Sequence, residues 1–191
     1  MARPLSFDRD VVIEQSMQVF WLKGFQGTSM RDIGKATALN PGSLYGCFGN
    51  KRKLFVLVLE HYYKCLTGGI NQSLNQPSSN ALILRNFFWL ILKENENTEI
   101  KGCLLVNCLL ELAQDSEMQS HIAAMFTGLE EMFYWIIVKG QKEGDYHPRI
   151  KARDTAKYLV NNYFGLRVQC MTEKDNEQLL EIIDNFLVVL E

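Results

Sequence analysis

The histidines and cysteines have the widest chemical range of any side chains here, and their arrangement points away from catalysis. His61, His121 and His147 fall on different segments, with neither metal-ligand spacing nor a nucleophile and base paired along the chain. The five cysteines are an odd set with no C-x-x-C pair and no cysteine-histidine cluster. That argues against a disulfide framework and a structural zinc site, and favours a reducing cytoplasm. No enzyme, cofactor or metal is therefore expected. Charge is the remaining chemistry. Residues 1–53 hold eight basic side chains (Arg3, Arg9, Lys23, Arg31, Lys35, Lys51, Arg52, Lys53) against four acidic ones (Asp8, Asp10, Glu14, Asp32), a net of +4, while the rest of the chain carries -6. Phosphate attraction supplies most non-specific affinity for nucleic acid, so a compact basic unit on an acidic body suits a DNA reader. Lys51 follows Gly49-Asn50 at the opening of a helix, where its charge adds to the free amide protons and makes a phosphate anchor.

Helices must position these groups. In a chain of 191 residues, 47% are apolar and 22% charged, enough to bury a sizeable core and unlike a disordered polymer. Four prolines leave long uninterrupted intervals, and no strand pattern, repeat or low-complexity tract competes with an all-α reading. Apolar residues Val12, Val19 and Phe20, with small Ser16 between them, predict a first helix over 7–23, capped by Ser6 and ended by Gly24. Thr28 or Ser29 caps a second, through about Thr37; Asn40-Pro41 opens a third, to about Cys47. A fourth runs from Lys51 to about Thr67, ended by Gly68 and Gly69. Two short helices joined by Ala38-Leu39-Asn40 make a helix-turn-helix whose second helix can enter a major groove.

These residues resemble the TetR family of bacterial repressors from about Val12 to Leu54. The resemblance runs through Phe20-x-x-x-Gly24-Phe25, Thr28-Ser29-Met30-Arg31-Asp32-Ile33, Gly42-Ser43-Leu44-Tyr45 and Phe48-x-Asn50-Lys51-x-x-Leu54. It implies that the Thr28 and Tyr45 hydroxyls bind backbone phosphates and that Pro41, Gly42, Ser43 and Gly46 face base edges. With Arg31 and Lys51, these are the residues expected at DNA. The chain departs from the family at Gly34 and Ala38, where alanine and glycine are usual, at Gln15 and Ser16, which replace alanines, and at Cys47, which replaces a histidine or aromatic. No arginine, asparagine or glutamine projects from the centre of the third helix for a bidentate base contact, so DNA shape is expected to contribute to specificity.

The domain reading is a helix-turn-helix domain over 1–50, a connecting helix over 51–66 and a helical ligand-binding and dimerisation bundle over 67–191. Residues 81–94 predict an all-round apolar helix in the middle of that bundle, too short for a membrane span. Another apolar segment covers 102–113. Ser116 with Gln119 matches a capping box opening a long helix, and Gly144 to Pro148 ends it. Two further helices are expected over about 152–171 and 175–190. The resemblance implies a ligand pocket among the middle helices and a dimer formed by the last two. Phe88, Trp89, Met125, Phe126 and Phe133 are candidates for the pocket; Leu159, Tyr163, Leu179, Ile183, Phe186 and Leu187 for the interface. The run Gly102-Cys103-Leu104-Leu105-Val106-Asn107 resembles a sub-group in which a cysteine opens the sixth helix, so Cys103, beside Lys101 and with Asn107 nearby, is a candidate sensor thiol. The expected function is a cytoplasmic, homodimeric regulator, most simply a repressor released from a pseudo-palindromic double-stranded operator by a small-molecule effector or reactive species, with no membrane partner. The alternative is a helical enzyme or a protein-binding adaptor carrying a vestigial helix-turn-helix.

Overall fold

The computed structural model describes residues 7–74, 79–96, 102–173 and 175–191, and these are all-α, with no strand among them. The first helix, α1 (Arg9–Gly27), is capped by Asp8, whose carboxylate accepts from the Asp10 amide at 2.9 Å. The predicted cap, Ser6, lies outside the described residues. Gly24 does not end α1 but kinks it at φ 75° and ψ 174°, and one further turn follows. A capping box between Ser29 and Asp32 opens α2 (Met30–Thr37). Asn40 accepts from the Ser43 amide at 2.9 Å and, with Pro41 in the first turn, starts α3 (Pro41–Phe48). Asn50 does the same for α4 (Lys51–Leu74) through the Lys53 amide. Gly68 and Gly69 stay inside α4, because glycine only weakens a helix whose flanks are packed.

The body comprises α5 (Asn80–Glu96), α6 (Leu104–Glu111), α7 (Ser116–Glu143), α8 (Ala152–Gln169) and α9 (Asn176–Leu187), closed by a 3-10 turn, Val188–Leu190. Asp115, not Ser116, caps α7, accepting from the Met118 amide. Gln119 instead donates to the Leu109 and Leu112 carbonyls, tying α7 to the end of α6. Gly144 in the left-handed region ends α7. The helix α5 is not buried all round: Ile83, Leu84, Phe87 and Phe88 point inward, whereas Leu82, Trp89 and Leu90 are exposed.

Two apolar clusters form the core, and neither follows the expected division of the chain. One joins α1 to α4 with Cys103, Leu104, Leu105, Cys108 and the first half of α7; the other joins α5, the second half of α7, α8 and α9. Leu159, Tyr163, Leu179, Ile183 and Phe186 are buried inside this second cluster, and Leu187 packs against it. The expected interface residues therefore hold the protomer's own core together. An amphipathic stripe reveals that a face is covered but not by what. Of the residues expected at an aromatic pocket, Phe88 stacks on Phe133 at 5.8 Å and meets Phe186 at 4.6 Å. Trp89 lies on the outer face beneath Lys93, Met125 belongs to the other cluster, and Phe126 packs on Phe164.

Candidate nucleic-acid interface and its attachment to the body

The two sides of α3 have opposite characters. Leu44 and Phe48 are buried against α1, α2 and α4, fixing its orientation, while Pro41, Gly42, Tyr45 and Gly46 are exposed and Ser43 is half-buried. A side chain at Gly46 would meet nothing within 4 Å, so backbone there is open to a close partner. The turn before α3 is tight. Ala38 adopts φ 56°, and a methyl at Gly34 would lie 2.8 Å from the Leu39 carbonyl oxygen. The Leu39 amide donates back to Gly34 at 3.1 Å, closing the turn that sets α3 against α2.

The basic residues divide into two groups. Arg31, Lys35 and Lys53 are exposed and make no ion pair among the described residues, which leaves them available to phosphates. Arg9, Lys23, Lys51 and Arg52 are engaged, and Arg3 lies outside the described residues. Lys23 pairs with Asp32 at 2.7 Å, and that contact, with the Ser29 hydrogen bonds, holds the Asp32 carboxyl well below the usual range. Lys51 Nζ donates to the Phe25 and Thr28 carbonyls at 2.8 and 2.9 Å and lies 4.4 Å from the centre of the Phe25 ring. It thus closes the end of α1 and retains one N–H for another acceptor. Thr28 departs from expectation: it is buried, and its hydroxyl donates to the Gly24 carbonyl at 2.6 Å. Gly24 has turned that carbonyl out of the helical ladder, and the threonine hydroxyl satisfies it.

The α6–α7 corner grips the helix-turn-helix unit at two points. At the Gly24 kink the Phe25 and Gln26 amides have no helical acceptor, and the Glu111 carboxylate receives them at 2.8 and 2.7 Å. A carboxylate facing free amides at a helix start is favoured by their partial positive charge. Arg52 forms a fork with Asp115 and reaches Glu117 at 2.9 Å. This guanidinium, with the Met118 amide, lowers the Asp115 carboxyl to about 2. A cavity of about 180 Å³, bordered by Phe20, Phe55, Leu104, Asn107 and Glu111, lies between α1 and α6. Asn107 is the one expected pocket residue that reaches it. Glu111 was not anticipated from the sequence; its signal there is that it is the single charge in an otherwise uncharged helix, LLVNCLLE.

Cys103 stands at the N-cap of α6, but its side chain makes no capping hydrogen bond. It is 1% exposed, and its sulfur accepts from the Tyr62 hydroxyl at 3.7 Å. In this arrangement the thiol packs between α4 and α6. Lys101 lies outside the described residues. Burial, with Glu111 and Asp115 nearby, pushes the Cys108 thiol up to about 12, so it remains protonated. His61 is not a lone surface histidine: its Nε2 lies 2.8 Å from the Glu14 carboxylate. His147 caps a turn, accepting from the Arg149 amide. No helix among the described residues is long and apolar enough to cross a membrane.

Residues 12–58 match the family described as bacterial regulatory proteins, tetR family. Over nearly its full length the chain is similar to the HTH-type transcriptional repressor DhaR of Mycobacterium sp. (strain GP1), with 27% identity covering 95% of this chain and 89% of DhaR. It is also similar to the HTH-type transcriptional repressor ComR of Escherichia coli (strain K12), 26% identical over 94% of this chain and 87% of ComR. Among solved structures, a cysteine mutant of the TetR family transcriptional regulator CifR, complexed with 26 bp double-strand operator DNA, superposes with a TM-score of 0.81 at 26% identity. The match covers 97% of this chain and 98% of that one.

Proposed function

We propose that this chain, whose residues 12–58 match the tetR family of bacterial regulatory proteins, is a member of that family and a cytoplasmic, homodimeric, effector-responsive repressor of transcription. The observation that carries this reading is the polar, open face of α3 held on a buried Leu44 and Phe48, in a unit carrying net positive charge. Two copies read a pseudo-palindromic operator. Tyr45, Arg31, Lys35, Lys53 and the remaining N–H of Lys51 meet phosphates. Pro41, Gly42, Ser43 and Gly46 approach base edges closely, through backbone and shape more than through long side chains. Dimerisation uses the outer face of α8, where Tyr158, Asn161, Gly165 and Val168 line up on one exposed stripe. Gly165 has open space at its Cα, which allows a partner helix to approach closely.

Release follows from the two grips of the α6–α7 corner. Glu111 and Asp115 hold the DNA-reading unit at separate places, so an effector that favours a shifted α6 rotates this unit relative to the body and moves the two recognition helices out of register with the half-sites. Selection of bound duplexes from random DNA tests the proposal: it is expected to recover a two-fold symmetric site whose affinity falls steeply with salt. Recovery of no common site by a folded dimer would leave the adaptor reading in its place.

A further inference from the structure

Glu14 on α1 and His61 and Cys65 on α4 bring three different ligand atoms together, all within 4.8 Å of one another. We propose that they form a binding site for a borderline divalent cation of the zinc class, bridging α1 to α4. The spacing supports this. His61 Nε2 and Cys65 Sγ are 3.6 Å apart, and two such ligands on a tetrahedral zinc ion, with bonds of about 2.05 and 2.3 Å, would be about 3.6 Å apart. Glu14 Oε2 lies 2.8 Å from Nε2 and needs to move outward by roughly 0.6 Å to reach the corresponding tetrahedral separation of about 3.4 Å. A half-exposed glutamate has that freedom.

Chemistry and setting agree with the spacing. His61 and Cys65 are one helical turn apart on α4, so one face presents both, and Glu14 completes the set from the facing helix. Gln18 donates to the other Glu14 oxygen, Oε1, at 3.1 Å, the kind of outer contact that orients a ligating carboxylate. Carboxylate and thiolate together neutralise a divalent ion, and the Cys65 thiol proton passes to solvent on binding. Cys65 is exposed, which provides an entry path and leaves a fourth coordination position to water. An imidazole and thiolate set selects zinc-class ions over magnesium or calcium. Occupancy ties α1 of the DNA-reading unit to the helix that connects it to the body.

Cobalt(II) is a visible stand-in for zinc, and the test uses the reduced full-length protein. Wild type is expected to take up one cobalt per chain with a thiolate-to-cobalt charge-transfer band in the near ultraviolet, abolished by zinc. Cys65→Ser should lose the band, while His61→Gln and Glu14→Gln, checked for fold by circular dichroism, should each bind zinc at least about tenfold more weakly. A wild type without the band, a band of equal strength in Cys65→Ser, or unchanged zinc affinity in His61→Gln overturns the proposal and leaves Glu14 and His61 as an ordinary ion pair. No DNA enters the measurement, so its outcome is independent of the regulatory reading.

Discussion

Two side chains expected to serve the same purpose at DNA prove to be anchored differently. Tyr45 is half-exposed with its ring outside the core, whereas Lys51 closes the end of α1 over two carbonyls. Tyr45→Phe should therefore weaken binding to strong and weak operator variants alike, with an unchanged thermal midpoint, since it removes only the proposed phosphate contact. Lys51→Ala should lower both operator affinity and stability, the latter by about 1–2 kcal/mol for the lost charged hydrogen bonds. Denaturant titrations alongside binding curves separate the two; an unchanged stability in Lys51→Ala would return it to a purely DNA-facing role. Glu111 makes a third case. Glu111→Ala leaves the Phe25 and Gln26 amides without their acceptor. Hydrogen exchange at those two amides should accelerate while α2 and α3 remain protected. If protection at 25 and 26 does not change, the carboxylate is not what holds the kinked turn.

At the level of elements, the helix-turn-helix corner carries a mismatch that can be tested. Ala38 occupies the left-handed region, which costs a non-glycine residue about 1 kcal/mol, and Gly34 sits where a methyl would press on the Leu39 carbonyl. Ala38→Gly should stabilise the protein by up to about 1 kcal/mol, and Gly34→Ala should destabilise it despite alanine's better helix propensity. Equal and opposite shifts in the reverse sense would mean that the turn relaxes freely. The junction of α4 with α7 predicts a pH dependence. The Asp115 carboxyl titrates at about 2 beside Arg52, below its unfolded value of about 3.9. The unfolded chain thus takes up this proton first. The stabilisation is complete above about pH 5 and disappears as the pH falls towards 2. Asp115→Asn, which keeps a capping oxygen, should show a shallower loss of thermal midpoint between about pH 5 and 2.

For the whole molecule, burial decides which substitutions report on assembly. Phe186 is 4% exposed inside the protomer's own core, so Phe186→Asp should unfold the chain instead of yielding soluble monomers. Gly165 faces outward with nothing within 4 Å of its added Cβ. Gly165→Glu is expected to give folded monomers by sedimentation, with operator affinity reduced by orders of magnitude because half-sites are then bound singly. A persistent dimer would move the interface to another face, of which the exposed Leu82, Trp89 and Leu90 row on α5 is the obvious alternative.

Local signals were sufficient for much of this protein. Asn40-Pro41, the cap at Ser29 and the apolar spacing of α1 to α4 act through contacts a few residues apart, so the helix-turn-helix and the outward Pro41, Gly42, Tyr45 and Gly46 of α3 were legible along the chain, whereas Thr28, expected at a phosphate, turns inward to the Gly24 carbonyl. Where a local rule met packing, packing prevailed. Gly68 and Gly69 failed to end α4, and Gln119 left its capping box for the end of α6. The sequence also marked the inward faces of α8 and α9 without naming what they meet, and so the residues assigned to a dimer belong to the core. Glu111 on the Gly24 kink, Arg52 on Asp115 and Glu14 beside His61 and Cys65 join residues between 47 and 86 positions apart. Periodicity has no term for such pairs; only the tertiary fold brings an acid from one helix to the free amides, guanidinium or imidazole of another.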